Sequence, residues 1–365
     1  MALYVDNFIN LSVSLSVATP IPQGLGPAVY VAIEAATPIP NQITQVTSLT
    51  DVANLLAGTQ ISAQAADDLN AMFAQNNPPT SIFVASYIPP ETPDAALDRM
   101  VSAQNFFGVI AQESRADADN ANLGTWVNAT TDRRWRRMLV LQTSNADIIT
   151  SGKPAALSAC EFETCLMVAH NDDTEPAAAA LAGVLAGHRM TVKPLPLHVQ
   201  VRSVALTTYT DPQLAFAKGN DACVAIQGGS GASASVFIID QTRTYGGFEA
   251  AAVMSLVYAS NRLIAALGDL VVSKAQRQEI LRADAAGANE VKGTIDVPLA
   301  ALANTSPSHF TPGSVGTPPD EIPLPLGFST TVTPSGTELL AQSILRFGPE
   351  ATAIGLTLDG IIAQE

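Results

Sequence analysis

The chain has 365 residues, 47% of them hydrophobic and only 14% charged, and its 18 basic against 33 acidic side chains leave a formal net charge of −15. A length of that order suits two domains rather than one small core, and so acidic a chain lacks the basic face that attracts phosphate, which argues against nucleic-acid binding. A lone globule covers its outside with polar groups, so charge this scarce fits either a surface largely buried against other copies or an alanine-rich enzyme core.

No stretch reaches the roughly 18 to 20 uninterrupted apolar residues of a membrane helix. Met1-Ala-Leu-Tyr-Val-Asp has no basic or apolar leader character, so no secretion signal is expected. Three cysteines, Cys160, Cys165 and Cys223, form no disulfide pattern and suit a reducing cytoplasm. The one basic cluster, Arg133, Arg134, Arg136 and Arg137 around Trp135, is too short to reverse the acidic balance.

Residues 8–18 alternate apolar side chains with serine at a period of two, which predicts a strand that buries one face. Thr19-Pro20-Ile21-Pro22 cuts it from the next element, giving an N-terminal arm over 1–22. From Pro27, strands alternate with helices. Strands are predicted at 28–35, 81–88, 107–111, 138–142 and 165–169, with helices at 62–75, 93–104, 118–135 and 176–188. That alternation marks an α/β layer over 23–195.

After Pro194-Leu195-Pro196 the texture changes to strands at 199–206, 222–227 and 236–240. A long helix then runs from Phe248, its stripe carried by Ala252, Leu256, Ala259, Leu263, Leu267 and Leu270. Over roughly 26 residues it would span about 39 Å. A second short helix is expected to end near Asp284, and 196–304 is taken as a strand and long-helix domain. Residues 305–327 hold Pro307, Pro312, Pro318, Pro319, Pro323 and Pro325 and predict an extended linker. Strand texture returns at 328–332 and 351–362, so 328–365 is read as C-terminal strands and an arm. The fold class is α/β, with α+β character in the second half and a mixed-sheet core.

No catalytic constellation emerges. Gly228-Gly229-Ser230-Gly231 lacks the lysine of a phosphate loop, and its fifth position, Ala232, lacks the glycine of a nucleophile elbow; a tight turn explains it. Cys160, Cys165 and His170 stand five residues apart, a step that scatters side chains around a helix or across a strand, so buried thiols are expected rather than a metal site. His188, His198 and His309 have no nucleophile or carboxylate at a telling interval. No cofactor and no metal are expected.

Several blocks together resemble the contractile tail sheath proteins of tailed phages and of related contractile injection systems. They are Asn10-Leu-Ser-Val-Ser-Leu-Ser followed by Thr-Pro and Gly24-Leu-Gly26, the Tyr30-Val-Ala-Ile strand, Ser81-Ile-Phe-Val-Ala, and the run from Lys218-Gly-Asn-Asp-Ala-Cys-Val through Phe237-Ile-Ile-Asp-Gln-Thr-Arg243 into the long helix. The resemblance implies a non-enzymatic subunit that stacks as hexameric rings around a tail tube, contracts, and meets baseplate and tail terminator proteins in the virion tail after assembly in the host cytoplasm. It also implies terminal strands exchanged between copies, through Leu11, Val13, Leu15 and Val17 at one end and Ile354, Leu356, Leu358 and Ile361 at the other. An unpaired strand edge takes up a strand from another chain. Lys274, Arg277 and Arg282, near the end of the long helix, are the expected tube-facing cations. The rival expectations are another oligomeric virion component, or an α/β hydrolase-like enzyme using Ser230.

Overall fold

The computed structural model describes residues 25–103, 108–129, 137–188, 199–205, 207–228, 236–239, 243–247, 250–277, 279, 281–305, 308–315, 321–335, 338–346 and 354–362. They divide into two units, one holding the described residues up to Met254 and the other those from Ser255 onward.

The first unit is built on β1 (Ala28–Ile33), β2 (Ile43–Val46), α1 (Leu49–Ala57), α2 (Ala63–Phe73), β3 (Ile82–Tyr87), α3 (Pro93–Ala103), β4 (Val109–Gln112), α4 (Asp117–Asn128), β5 (Met138–Thr143), the single turn α5 (Asp147–Thr150), β6 (Cys165–Ala169), α6 (Ala177–Gly187), β7 (Val199–Val201), α7 (Asp211–Gly219), β8 (Ala222–Gly228) and β9 (Val236–Ile239). One nine-stranded sheet runs in the order β2-β3-β1-β4-β5-β6-β8-β9-β7. Its six central strands are parallel. β2 is antiparallel at one margin, and β9 and β7 are antiparallel at the other. Strands in the middle of such a sheet are covered on both faces, which is why residues 28–32 of β1, 138–141 of β5 and all of β6 read as apolar runs and are buried. The mixed α/β sheet is therefore as the sequence indicates.

The boundary expected near 195 does not separate two sheets. β8 pairs with β6 and carries β9 and β7 with it, so the strands of 196–240 complete the first sheet instead of founding a strand and long-helix domain. The reason is register: Ala222, Cys223 and Val224 sit directly beside Met167, Val168 and Ala169, apolar run against apolar run. The turn after β9 is seated by Tyr245, which is fully buried, and by Lys153, whose Nζ lies 2.6 Å from the Tyr245 carbonyl oxygen and 4.5 Å from its ring centre. Gly246 meets the backbone of Phe162 so closely that a Cβ would lie 2.6 Å from the Phe162 carbonyl carbon. Arg137, from the basic cluster, is buried over the Trp126 ring at 5.2 Å instead of contributing to a charged face.

α8 (Ala250–Arg277) is 28 residues long, or about 42 Å at 1.5 Å per residue. From Ser255 it belongs to the second unit, with α9 (Ala285–Ala303), β10 (Gly313–Val315), β11 (Ile322–Leu324), β12 (Phe328–Ser335), β13 (Glu338–Leu345) and β14 (Ile354–Ile362). Asp284 begins a helix where the sequence pattern predicts the end of one: its carboxylate accepts the N–H groups of Ala286 and Gly287, both at 3.0 Å, and caps the 19-residue α9. The proline-rich stretch is no free linker either. β10 and β11 pair within it, and His309, Phe310 and Leu324 are buried. β12, β13 and β14 form an antiparallel meander. Along β13, Leu339, Ala341, Ser343 and Leu345 are buried while Leu340 and Gln342 are exposed, the period of two expected when one face lies on a helix, here α9.

In the first unit α6 is apolar around its whole circumference and packs on α2. The approach is close because Gly183 faces Met72, whose Cα would lie 2.6 Å from an added Cβ. Gly183→Ala should force the helices apart and cost about 1–3 kcal/mol, read as a lowered urea midpoint at unchanged slope. An unchanged midpoint would show that α6 shifts without cost.

Candidate assembly site

Of the residues expected to form the exchanged arms, Leu11, Val13, Leu15 and Val17 lie outside the described residues. Ile354, Leu356, Leu358 and Ile361 fall on β14, at the register positions of Leu345, Ser343, Ala341 and Leu339 of β13. The C-terminal strand thus takes one sheet partner from its own chain, where the resemblance implies a neighbour's. β14 is nine residues long and stands at the end of its sheet, so its other edge carries no strand among the described residues.

Lys274 is not a free cation. Its Nζ lies 3.0 Å from Glu279 and 2.9 Å from Glu290, and these two carboxylates raise its pKa, that of Glu290 first. Glu279 is correspondingly held below the usual carboxylate range by Lys274. Arg277 and Arg282 remain exposed.

Ser230 and His198, both weighed for catalysis, lie outside the described residues. Cys160, Cys165 and Cys223 are all buried and form no disulfide with one another, as expected. His170 sits between the backbone of Asp172 and that of Ala205. Among the described residues, no group of three His, Cys, Asp or Glu side chains could hold a metal ion. One pairing is invisible to local sequence pattern because 54 residues separate its members: His309 Nδ1 lies 2.9 Å from Ser255 Oγ. Both side chains are fully buried, so the pair ties residues 308–310 to α8 and offers nothing to a substrate.

In an open parallel sheet, ligands bind beyond the carboxyl ends of the strands where the strand order reverses. Here that point lies between β1 and β4, and the chain's own side chains fill it. Asp68, fully buried on α2, takes both oxygens to Arg115 Nη2 at 2.8 and 2.9 Å, and also accepts from Tyr30 Oη at 2.5 Å and Gln64 Nε2 at 3.1 Å. Burial raises the Asp68 carboxyl, opposed chiefly by the Arg115 charge. The Tyr30 hydroxyl is driven well up by burial and then by Asp68. Glu113 accepts from the Ile33 N–H at 2.8 Å and from Ser62 Oγ at 2.6 Å, and Ser62 in turn caps α2 by accepting from the Ala65 N–H at 2.9 Å.

Burial raises the Glu113 carboxyl as well, against the pull of Ser62 and Ile33. A carboxyl raised in this way is protonated more readily in the folded than in the unfolded chain. Its stabilising contribution is therefore full below the ordinary value of 4.5 and is lost as pH rises through the raised one. Asp68 acts in the same direction. Glu113→Gln should flatten the decline of unfolding free energy with rising pH over that window, measured by urea titrations at a series of pH values; a slope equal to that of the parent chain would exclude Glu113 as a source of it.

No protein-family model matches the sequence, and no curated protein matches it. Solved structures do. A sheath tail protein from Listeria innocua is 10% identical and superposes with a TM-score of 0.65 over 91% of this chain and 94% of its own. The helical sheath of the anti-feeding prophage in its contracted state is 13% identical, with a TM-score of 0.61 over 95% of this chain and 98% of that one. A chain of the anti-feeding prophage baseplate is 15% identical, with a TM-score of 0.63 over 95% and 97%. With that coverage on both sides, the chain has the fold of contractile tail sheath proteins.

Proposed function

We propose that the chain is a structural subunit of a contractile tail sheath, which stacks as hexameric rings around a tail tube and drives the tube through a host envelope when it contracts. The observation that carries this reading is the likeness to a contracted sheath over 95% of this chain and 98% of that one. The rim of the parallel sheet supports a role without catalysis, since Asp68, Arg115, Glu113 and Ser62 bond to one another and to backbone there. α8 is long and apolar enough to cross a membrane by composition, but 78% of its most apolar window is buried in the protein. No cofactor and no nucleic acid enter this reading.

The mesh between copies is assigned to strands. Residues 8–18 of one copy, carrying Leu11, Val13, Leu15 and Val17, pair with the open edge of β14 in another, and Pro20 and Pro22 act as the hinge that lets rigid bodies turn while the pairing holds. Contraction then releases energy held in a metastable extended packing, without nucleotide hydrolysis. The partners are further copies of the chain, the tail tube protein, and baseplate and tail terminator proteins. The location is the virion tail, after assembly in the host cytoplasm. Arg277 and Arg282 remain candidates to face the tube; Lys274 serves α9 first, through Glu290.

Electron microscopy of the purified protein should show wide, short-pitched tubes, and a chain lacking residues 1–22 should remain as discrete particles; tubes formed by the shortened chain would remove the N-terminal arm from the mesh. Arg277→Glu with Arg282→Glu should leave self-assembly intact but abolish co-assembly on tail tubes, scored by counting sheathed tubes, and normal sheathing would withdraw the tube-facing assignment.

A further inference from the structure

A helix in a folded unit draws most of its stability from the face it lays on the core, not from propensity. By that measure two helices of the first unit stand apart. α2 buries six of its residues and α6 eight, whereas α1 buries only Val52 and α7 only Ala217. Both are nine residues long, and a side chain caps the start of each: Ser48 accepts the Asp51 N–H and Thr210 the Gln213 N–H. Leu49 is 53% exposed, Leu56 41% and Phe216 41%. With Ile88 these are the most exposed large apolar side chains among the described residues of the first unit.

The outward faces of the two helices match in size. On α1, Leu49, Ala53 and Leu56 stand at i, i+4 and i+7, so they share one side of the helix as large, small, large. On α7, Pro212, Phe216 and Gly219 have the same spacing and run compact, large, small. All six are exposed, and each triad spans seven residues, about 10.5 Å of helix. Laid together, the Phe216 ring enters the gap over Ala53 between the two leucines. One leucine then falls beside Pro212 and the other over Gly219, where an added Cβ would meet nothing within 4 Å. Helices pack by setting such ridges into such gaps. Either helix docked on its own kind would set leucine against leucine, or Phe216 against Phe216. No member of either triad is charged, and neither are Thr50, Asn54 and Ala57 beside the first. Two chains of net charge −15 can therefore approach there without setting like charges face to face.

The two faces do not meet within one copy. α1 packs on α2 beside β2, and α7 packs on α5 beside β8. In the strand order β2 is first and β8 seventh, six steps of about 4.8 Å, or roughly 29 Å apart. A body that carries two different, matching faces at separate places joins head to tail, and repetition of that contact gives a ring or a helix where a self-matching face would give a closed pair.

We propose that the exposed face of α1 in one copy of the chain docks on the exposed face of α7 in the next. This rests on the sheath reading only for the contacts that first bring copies together. Two nine-residue helices bury well under the roughly 1,200 Å² of a stable interface, so they act where other contacts already hold the local concentration high.

The test uses the full chain carrying Ala53→Cys and Ala215→Cys, which leaves Leu49, Leu56 and Phe216 in place, treated with a short bismaleimide at concentrations that allow assembly. The native cysteines are buried and do not compete. Denaturing gels should show a ladder of covalent dimers, trimers and longer products. Each single-cysteine variant should remain monomeric, and an equal mixture of the two should stop at dimers. Adding Phe216→Ser, a change at an exposed position, should lower the ladder several-fold at unchanged far-ultraviolet dichroism. The proposal is wrong if the ladder is absent, if either single variant links to itself as efficiently as the mixture links, or if Phe216→Ser leaves the yield intact. Electron microscopy of the same samples separates the two readings: tubes without a ladder sink this contact and leave the sheath, and a ladder without tubes does the reverse.

Discussion

A sheet leaves two rows of backbone amides and carbonyls without partners at its margins, and a buried or crowded environment makes each unpaired group costly. How those rows are satisfied organises this molecule. In the large sheet the marginal strands β2 and β7 are only four and three residues long; in the small meander the marginal strands β12 and β14 are eight and nine residues long. The same chemistry that completes a strand pair inside one chain completes it between chains.

The crevice at the strand-order reversal obeys a related logic. Burying Asp68 and Arg115 together is a weak source of net stability, because desolvating two charges offsets most of their attraction, whereas removing either partner alone strands the other at about 3–5 kcal/mol. Such a pair holds β1, β4 and α2 in one arrangement more than it adds to the folding free energy. It also occupies the volume where related architectures admit a ligand.

Much of the fold was legible in the chain because apolar periodicity reports burial directly. β1, β3, β5, β6 and β8 fell within a few residues of expectation, and α8 carried its stripe plainly. The misses have physical reasons. Ile43-Thr-Gln-Val is too short and too polar for periodicity to show, so β2 was missed. α7 was missed although Thr210-Asp-Pro-Gln213 holds a full capping box, with proline in its first turn. The pattern around Asp284 predicts an end because acidic residues suit loops as well as caps; the N–H groups of Ala286 and Gly287 that donate to its carboxylate make it a start. The proline-rich segment read as linker because proline excludes helix, yet proline does not exclude packing, and Phe310 and Leu324 are buried. The β7 margin and the Ser255–His309 pair join residues far apart in sequence, and no local pattern carries that information.

The three thiols have a practical corollary. Cys160 and Cys165 are wholly covered and Cys223 nearly so, and burial pushes the Cys165 thiol well above its usual range, which starves it of the thiolate that reacts with maleimides. A cysteine introduced at an exposed position such as Gln200 or Arg277 can therefore be labelled selectively in the otherwise native chain, and two dyes placed that way report distances between copies without first stripping the protein of its own sulfur.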